Sequence, residues 1–460
     1  MRRTRQYKHP RITTALLLAF TLLMASSCHW VAAYEQDWVS ADASARDARI
    51  VDFNSEKGDG SADAEVNVEP FTLEGEVDPL REGHSPVITV HGAGYAVAWI
   101  DGDQGVSVQK WDVGSLALIT YPGPARTPAI TSTVEGLFVA WSEKNLSTGL
   151  PASLWVAKDL GDTQRMGGTY DNPRFFTADG TLHILASTHL GLTPCTPHTK
   201  MLQIAYDGQA WGASINVYPP ESTWSTFSPL PLACPDTCSP STHGLLWLYN
   251  NEATISYATD EQQSIEVRFK PVTFPATASQ SLYSSIPHTI LGKHPYHCSE
   301  PNLPRRRPDA LDSDGKIFVA WSDWVSGTSG TGVHLASLTP GDPLPATTPT
   351  LVSTDSLFPQ LLLLEGVSEV QRLLIYVRQD GGQSTIMARF FDASGELLDE
   401  EIPLLERELG FEIQSLDVVV KRAPEGQELG IVFSEENTMV DPAFPARNVH
   451  FFRVRYNPVP

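Results

Sequence analysis

Val97-Ala98-Trp99, Val139-Ala140-Trp141 and Val319-Ala320-Trp321 each close the same phrase. A proline opens the phrase thirteen residues before each Trp, at Pro86, Pro128 and Pro308. An acidic residue stands two positions after the Trp, at Asp101, Glu143 and Asp323. Self-similarity at a fixed spacing is the mark of a repeat architecture. Looser copies extend it. Asn172-Pro173 opens one in which Ala186-Ser187 takes the place of Trp-Ser. Ser228-Pro229 leads to Trp247, and Phe358-Pro359 leads to Tyr376. Val432-Phe433-Ser434-Glu435 closes a last copy that lacks the opening proline. The spacing is 42 residues from Pro86 to Pro128 and 45 from Pro128 to Pro173, which gives about seven units with long insertions in the fourth.

Each unit reads as short strands. Phe138 to Trp141 and Ile317 to Trp321 are continuous apolar runs, as in strands covered on both faces. Turn-rich stretches follow, such as Asp101-Gly102-Asp103-Gln104-Gly105. Alternating strands come next, as in Val106-Ser107-Val108 and Val333-His334-Leu335. No stretch carries a capped helical period; Leu404 to Leu416 comes nearest, and Gly410 interrupts it. Three or four strands per unit match one propeller blade. The expectation is an all-β, closed β-propeller of seven blades over residues 66–460, with six as the alternative count. Trp99, Trp141 and Trp321 are expected to pack between blades. The C-terminal strand, Asn448 to Tyr456, is expected to share a blade with N-terminal strand material near Val66 to Leu73, because closure removes exposed edges.

The N-terminus reads as an address. Arg2, Arg3, Arg5, Lys8 and Arg11 precede an apolar stretch from Ile12 to Ala25, too short for a bilayer span. Ala25-Ser26-Ser27 before Cys28 resembles the cleavage box of bacterial lipoproteins, with Ala25 where that family usually has Leu. The resemblance implies a signal peptide over 1–27, a lipid on Cys28, and a location at the cell envelope, toward the outer membrane. Residues 28–65 are rich in Ala, Ser, Asp and Glu, lack the repeat, and read as a disordered acidic tether. Loss of the five basic residues ahead of Cys28 takes the net charge from −22 to about −27. A chain so acidic excludes non-specific nucleic-acid binding.

Five cysteines are present. With Cys28 lipidated, Cys195, Cys234, Cys238 and Cys298 remain, enough for two disulfides in an oxidising compartment. Cys234–Cys238 and Cys195–Cys298 is the expected pairing, and the crossed arrangement is the competitor. His198, His294 and His297 stand near those cysteines and offer a metal-binding alternative. Arg305-Arg306-Arg307 is a basic run in an acidic domain and the candidate ligand site. No nucleophile elbow, zinc-protease motif, phosphate loop or dinucleotide fingerprint is found.

From Pro86 onward the repeat resembles the tandem propeller-like repeats of surface lipoproteins in Gram-negative bacteria. That resemblance implies a scaffold, since propellers carry unrelated functions. The expected function is a non-catalytic, envelope-anchored binding or scaffold lipoprotein without cofactor. Its expected partners are the membrane, through the lipid, and a protein or glycan ligand. A sialidase-like, glycan-active propeller is the alternative. Asp312-Ser313-Asp314-Gly315 partly echoes the sialidase edge motif but lacks its Trp. Carboxylates and arginines from different blades meeting at one mouth of the ring would favour the enzyme.

Overall fold

The computed structural model describes residues 70–75, 77–102, 105–112, 115–147, 151–189, 198–218, 223–231, 242–249, 264–273, 289–295, 308–324, 331–339, 348–366, 370–398, 401–423, 426–439 and 446–458. The leader, Cys28 and the tether lie outside them. Every regular element among the described residues is a strand. Two short strands come first, β1 (Phe71–Leu73) and β2 (Asp78–Glu82). Antiparallel four-strand meanders follow. The first comprises β3 (His84–His91), β4 (Gly94–Asp101), β5 (Gly105–Asp112) and β6 (Ser115–Pro122). The second comprises β7 (Ala125–Thr133), β8 (Gly136–Lys144), β9 (Pro151–Lys158) and β10 (Thr163–Met166).

The next two meanders are β11 (Tyr170–Ala178), β12 (Thr181–His189), β13 (His198–Ala205) and β14 (Ile215–Tyr218), then β15 (Thr223–Pro231), β16 (Thr242–Tyr249), β17 (Ser264–Thr273) and β18 (Thr289–Pro295). The single pair His198–Thr223 links them into one hydrogen-bonded sheet. The fifth has β19 (Asp309–Ser313), β20 (Lys316–Trp324), β21 (Thr331–Leu338) and β22 (Thr350–Thr354). The sixth has β23 (Ser356–Glu365), β24 (Val370–Asp380), β25 (Gln383–Phe391) and β26 (Ile402–Glu406). The last has β27 (Phe411–Ala423), β28 (Gly426–Asn437) and β29 (Ala446–Tyr456), with both β1 and β2 paired onto β29. The first and last described strands therefore share one sheet. Thr72 faces Arg455, and Arg81 faces Val449. The near-helical spacing from Leu404 to Leu416 resolves into β26, a turn through Gly410, and β27.

The core lies in layers between consecutive sheets, and this explains the repeated phrase. Ala96, Ala98 and Ile100 on β4 pack toward Leu137, Val139 and Trp141 on β8. Phe138 and Ala140, on the other face of β8, pack toward Ile184 and Ala186 on β12. Val97 and Trp99 pack toward Val432 and Phe451 of the last sheet. A second strand is thus covered on both faces, so its residues are apolar without alternation. The Ala before Trp99 and before Trp321 leaves room for the large residue of the following sheet: Ala98 shares a layer with Trp141, and Ala320 with Tyr376. Trp99 is fully buried and Trp321 is 1% exposed. Trp321→Ala is expected to destabilise the protein by about 3–5 kcal/mol. A urea unfolding curve reads this as a lowered midpoint with unchanged slope.

The opening proline has a different role from the one its position implies. It does not begin the strand. Pro86, Pro128, Pro173 and Pro359 each lie inside an opening strand, at a break in register: between His84 and Val87, Arg126 and Ala129, Asp171 and Arg174, Leu357 and Gln360. The residue before each proline has left-handed backbone, Ser85 at φ 54°, Thr127 at 35°, Asn172 at 50° and Phe358 at 57°. Such bulges break the ladder where proline has no N–H to offer, and they re-aim the neighbouring side chains. Left-handed backbone at non-glycine residues, a β-branched Thr among them, stores strain.

Candidate functional site

The opening strands share a common level. On each, one residue pairs with the residue just before the Trp position, and on β3, β7, β11 and β23 it is the first in register beyond the proline break. Those residues are Val87, Ala129, Arg174, Asp309, Gln360 and Asp417, opposite Ala98, Ala140, Leu185, Ala320, Ile375 and Val432. Ser228 holds the same place on β15, opposite Leu246. Each opening strand also lies against the next: β3 on β7, β7 on β11, and so on through β15, β19, β23 and β27, with β27 against β3. One level of neighbouring strands therefore carries small or apolar residues on the first two sheets, and an arginine and two carboxylates on the third, fifth and last.

Each carboxylate is tied to the next opening strand. Asp417 Oδ2 accepts the Ile88 N–H at 2.9 Å, and Asp309 Oδ2 accepts the Leu361 N–H at 2.7 Å. Arg174, Asp309 and Asp417 lie deep in the protein yet keep some exposure. Burial pushes both acids up to about 6. The backbone donors and the charge of Arg174 oppose that rise, while Asp417 adds to it for Asp309. Burial lowers the Arg174 pKa, and the two carboxylates pull it back. Three residues far apart in sequence thus feel one another's charge.

A second group sits just ahead of this level. Asp171 is 1% exposed. It accepts the Thr127 hydroxyl at 2.8 Å and the Asn172 N–H at 2.9 Å, and Arg126 pairs with it at 3.2 Å. The Asn172 N–H also reaches Thr127 Oγ1 at 3.3 Å. The bulge carrying Asn172 is held from both sides, while the Asn172 side-chain nitrogen and oxygen are buried and unbonded.

The raised acids make a stability prediction. A folded carboxyl near 6 keeps a proton that the unfolded chain, near 3.8, has released. Their contribution is therefore most favourable below about pH 4 and is lost as pH rises through 6. Asn keeps an acceptor for the Ile88 N–H without the buried charge. Asp417→Asn is expected to stabilise the fold by about 1–2 kcal/mol at pH 7.5, allowing for water that reaches the side chain, and to have no effect at pH 4. Urea midpoints at the two pH values check it; an equal shift at both would refute the burial argument.

The residues singled out in the sequence fall elsewhere. Trp99, Trp141 and Trp321 occupy equivalent places on β4, β8 and β20, inside the layers. The acidic residues after them bond locally. Asp101 accepts the Ser107 hydroxyl at 2.8 Å, and Glu143 accepts the Trp155 indole N–H at 3.2 Å. Arg407 holds Glu435 with two bonds, of 2.6 and 2.8 Å. His198 and His294 lie on β13 and β18, in different meanders. His297, Arg305, Arg306, Arg307, Cys195, Cys234, Cys238 and Cys298 lie outside the described residues, and the expected disulfides with them. Sequence reasoning missed Arg174, Asp309 and Asp417. A signal existed: Arg174 follows Pro173, and Asp309 follows Pro308, at one position of the repeat.

No protein-family model matches the chain, and no curated protein is a significant match. Solved structures do match at low identity. A polysaccharide lyase is 10% identical over 81% of this chain and 90% of its own, with a TM-score of 0.45. The sialidase of Trypanosoma rangeli is 12% identical over 83% of this chain and 59% of its own, with a TM-score of 0.39. An α-L-arabinofuranosidase from Lactobacillus brevis is 10% identical over 60% of this chain and 94% of its own, with a TM-score of 0.34. Likeness at this depth concerns the all-β fold alone. The expectation of a non-catalytic lipoprotein scaffold is nevertheless corrected. An arginine and two carboxylates stand at the level where the first two sheets carry only Val87 and Ala129, a chemistry that blade packing does not require.

Proposed function

We propose that this protein is a glycan-active enzyme, and that its sheets close as a propeller of seven blades around a channel at whose rim Asp309, Asp417 and Arg174 form the active centre. The order of contacts among opening strands, with β27 returning to β3, supports the closed ring. The observation that carries the function is the convergence of two raised carboxylates and an arginine from three separate sheets. Glycoside hydrolysis needs such a pair of carboxyls, one giving a proton to the leaving oxygen and the other acting on the opposite side of the sugar. Asp309 is the acid, because the negative charge of Asp417 favours its protonated form. Asp417 is the base or nucleophile. The Ile88 and Leu361 N–H groups fix one oxygen of each, which orients the pair before substrate arrives. Val87 and Ala129 offer an apolar face for a sugar ring. The basic leader and its apolar stretch support a place at the cell envelope, where polymeric glycans are met. The test is release of reducing sugar from a panel of neutral and acidic polysaccharides by the wild type and by the Asp309→Asn/Asp417→Asn double variant. Activity on one polysaccharide that the double variant lacks is the expected result. Equal activity of the two proteins, or none on any polysaccharide, would sink the reading.

A further inference from the structure

We propose that the free edge of β6 pairs with the same strand of a second copy of this chain, so that the protein is a two-fold dimer. Each meander ends in an outermost strand whose far side no described strand covers. Most of these edges are blunted in the ways natural sheets use against stray pairing. β10 and β14 have four residues, and β22 and β26 have five. β26 also carries Pro403 and Glu406, and β18 carries Lys293 and ends on Pro295. The outer edge of the last sheet is split between β1 and β2. β6 has none of these devices. It reads Ser115-Leu116-Ala117-Leu118-Ile119-Thr120-Tyr121-Pro122, eight residues without a charge and with proline only at the end. All of them pair with β5 without a break in register. The far edge is therefore unbroken, and every second residue along it turns its backbone polar groups outward.

Charge decides what fits there. The chain carries a net −22. Two antiparallel copies of one strand bring its residues against residues of that same strand, so a charge near the middle would face its own copy. β6 is the long outer strand on which a chain this acidic meets itself without that repulsion. The two-fold axis stands normal to the sheet, since only that rotation continues the ladder across the seam. It keeps each face with its like. Leu118 and Thr120 then meet their own copies on one face, and Ala117, Ile119 and Tyr121 meet theirs on the other. Leu118 packs on the layer between the first and last sheets, and Ile119 on the layer between the first and second. Both are half-buried. A second β6 covers more of each and takes up the outward backbone groups. Two four-stranded sheets become one sheet across the dimer.

The test is sedimentation equilibrium of the full chain, with amide hydrogen exchange at the same concentrations. A dimer is expected. The amides of β6 are expected to exchange about ten-fold or more slowly in concentrated than in dilute protein, while those of β10, also an outer strand, do not change. Leu118→Lys and Leu118→Glu, each alone, are expected to weaken the dimer about ten-fold or more. Their equal mixture is expected to regain it as a heterodimer, a recovery that unfolded variants cannot give. A full chain that stays monomeric at about 100 μM overturns the proposal. So does a dimer whose β6 amides exchange alike at every concentration, or one that both substitutions leave intact, since another face then holds it. A full chain that is monomeric and dimerises only on removal of residues 1–65 also overturns it, because the chain's own N-terminal segment is then the occupant.

Discussion

Asp309→Asn is expected to lower kcat by about 10²- to 10⁴-fold on the polysaccharide the wild type cleaves, with little change in KM. The size follows from the role. A protonated carboxyl within reach of the leaving oxygen removes the need to expel a bare alkoxide, and a carboxamide has no proton to give. Asn fills the same space and accepts the same Leu361 N–H, so binding and fold are preserved. The pH profile adds a readout that a packing role would not move. With both acids pushed to about 6 and coupled, kcat/KM of the wild type is expected to peak near pH 6. The limb above the peak reports loss of the shared proton and disappears in Asp309→Asn; the limb below reports protonation of Asp417 and disappears in Asp417→Asn. An Asp309→Asn variant with wild-type kcat and both limbs intact would falsify the acid assignment.

Removal of residues 1–82 is expected to be the most damaging truncation. It strips β1 and β2 from β29 and leaves an eleven-residue strand with an open edge. Phe71 leaves with them. It is 5% exposed, stacked on Phe390 at 5.7 Å and set against Tyr456 at 5.8 Å. Loss of that ring alone costs about 3–5 kcal/mol, before the backbone bonds and the Glu74–Arg455 pair at 2.7 Å are counted. An open strand that includes Val449, Phe451 and Val454 also invites pairing with other chains. The truncated protein is expected to unfold at lower urea and to elute as aggregate, whereas removal of residues 1–65 leaves both unchanged. Equal urea midpoints for the two truncations would show that β1 and β2 contribute nothing.

The architecture was legible because the physics of a twice-covered strand writes itself into consecutive residues. Val97-Ala98-Trp99 is apolar throughout because each of its faces meets another sheet, and Ala98 is small because Trp141 shares its layer. Such a constraint recurs wherever the geometry recurs. The proline was legible as punctuation but not as a bulge, since a break in register depends on the partner strand. The spacing of Leu404 to Leu416 resembled a helix because a turn through Gly410 joins two strands. The charged level on the opening strands was hidden for the opposite reason. It holds Val, Ala, Arg, Ser, Asp, Gln and Asp on successive meanders, so nothing repeats except the position. Arg305-Arg306-Arg307 is visible in sequence as a run of charge, while Arg174 and Asp417 stand alone there and become neighbours in charge only once the sheets are assembled.

The pairing of β29 with β1 and β2 also sets an order of events. Among the described strands, the first two in the chain have their partner in the last. Until β29 is in place, β1 and β2 lack the strand they pair with. The loop that must close spans nearly the whole chain, and its entropy is lost only at the final step. The middle meanders, paired between strands adjacent in sequence, can form as they appear. Assembly is then locked by the arrival of β29, and a chain cut short of that strand never acquires the clasp.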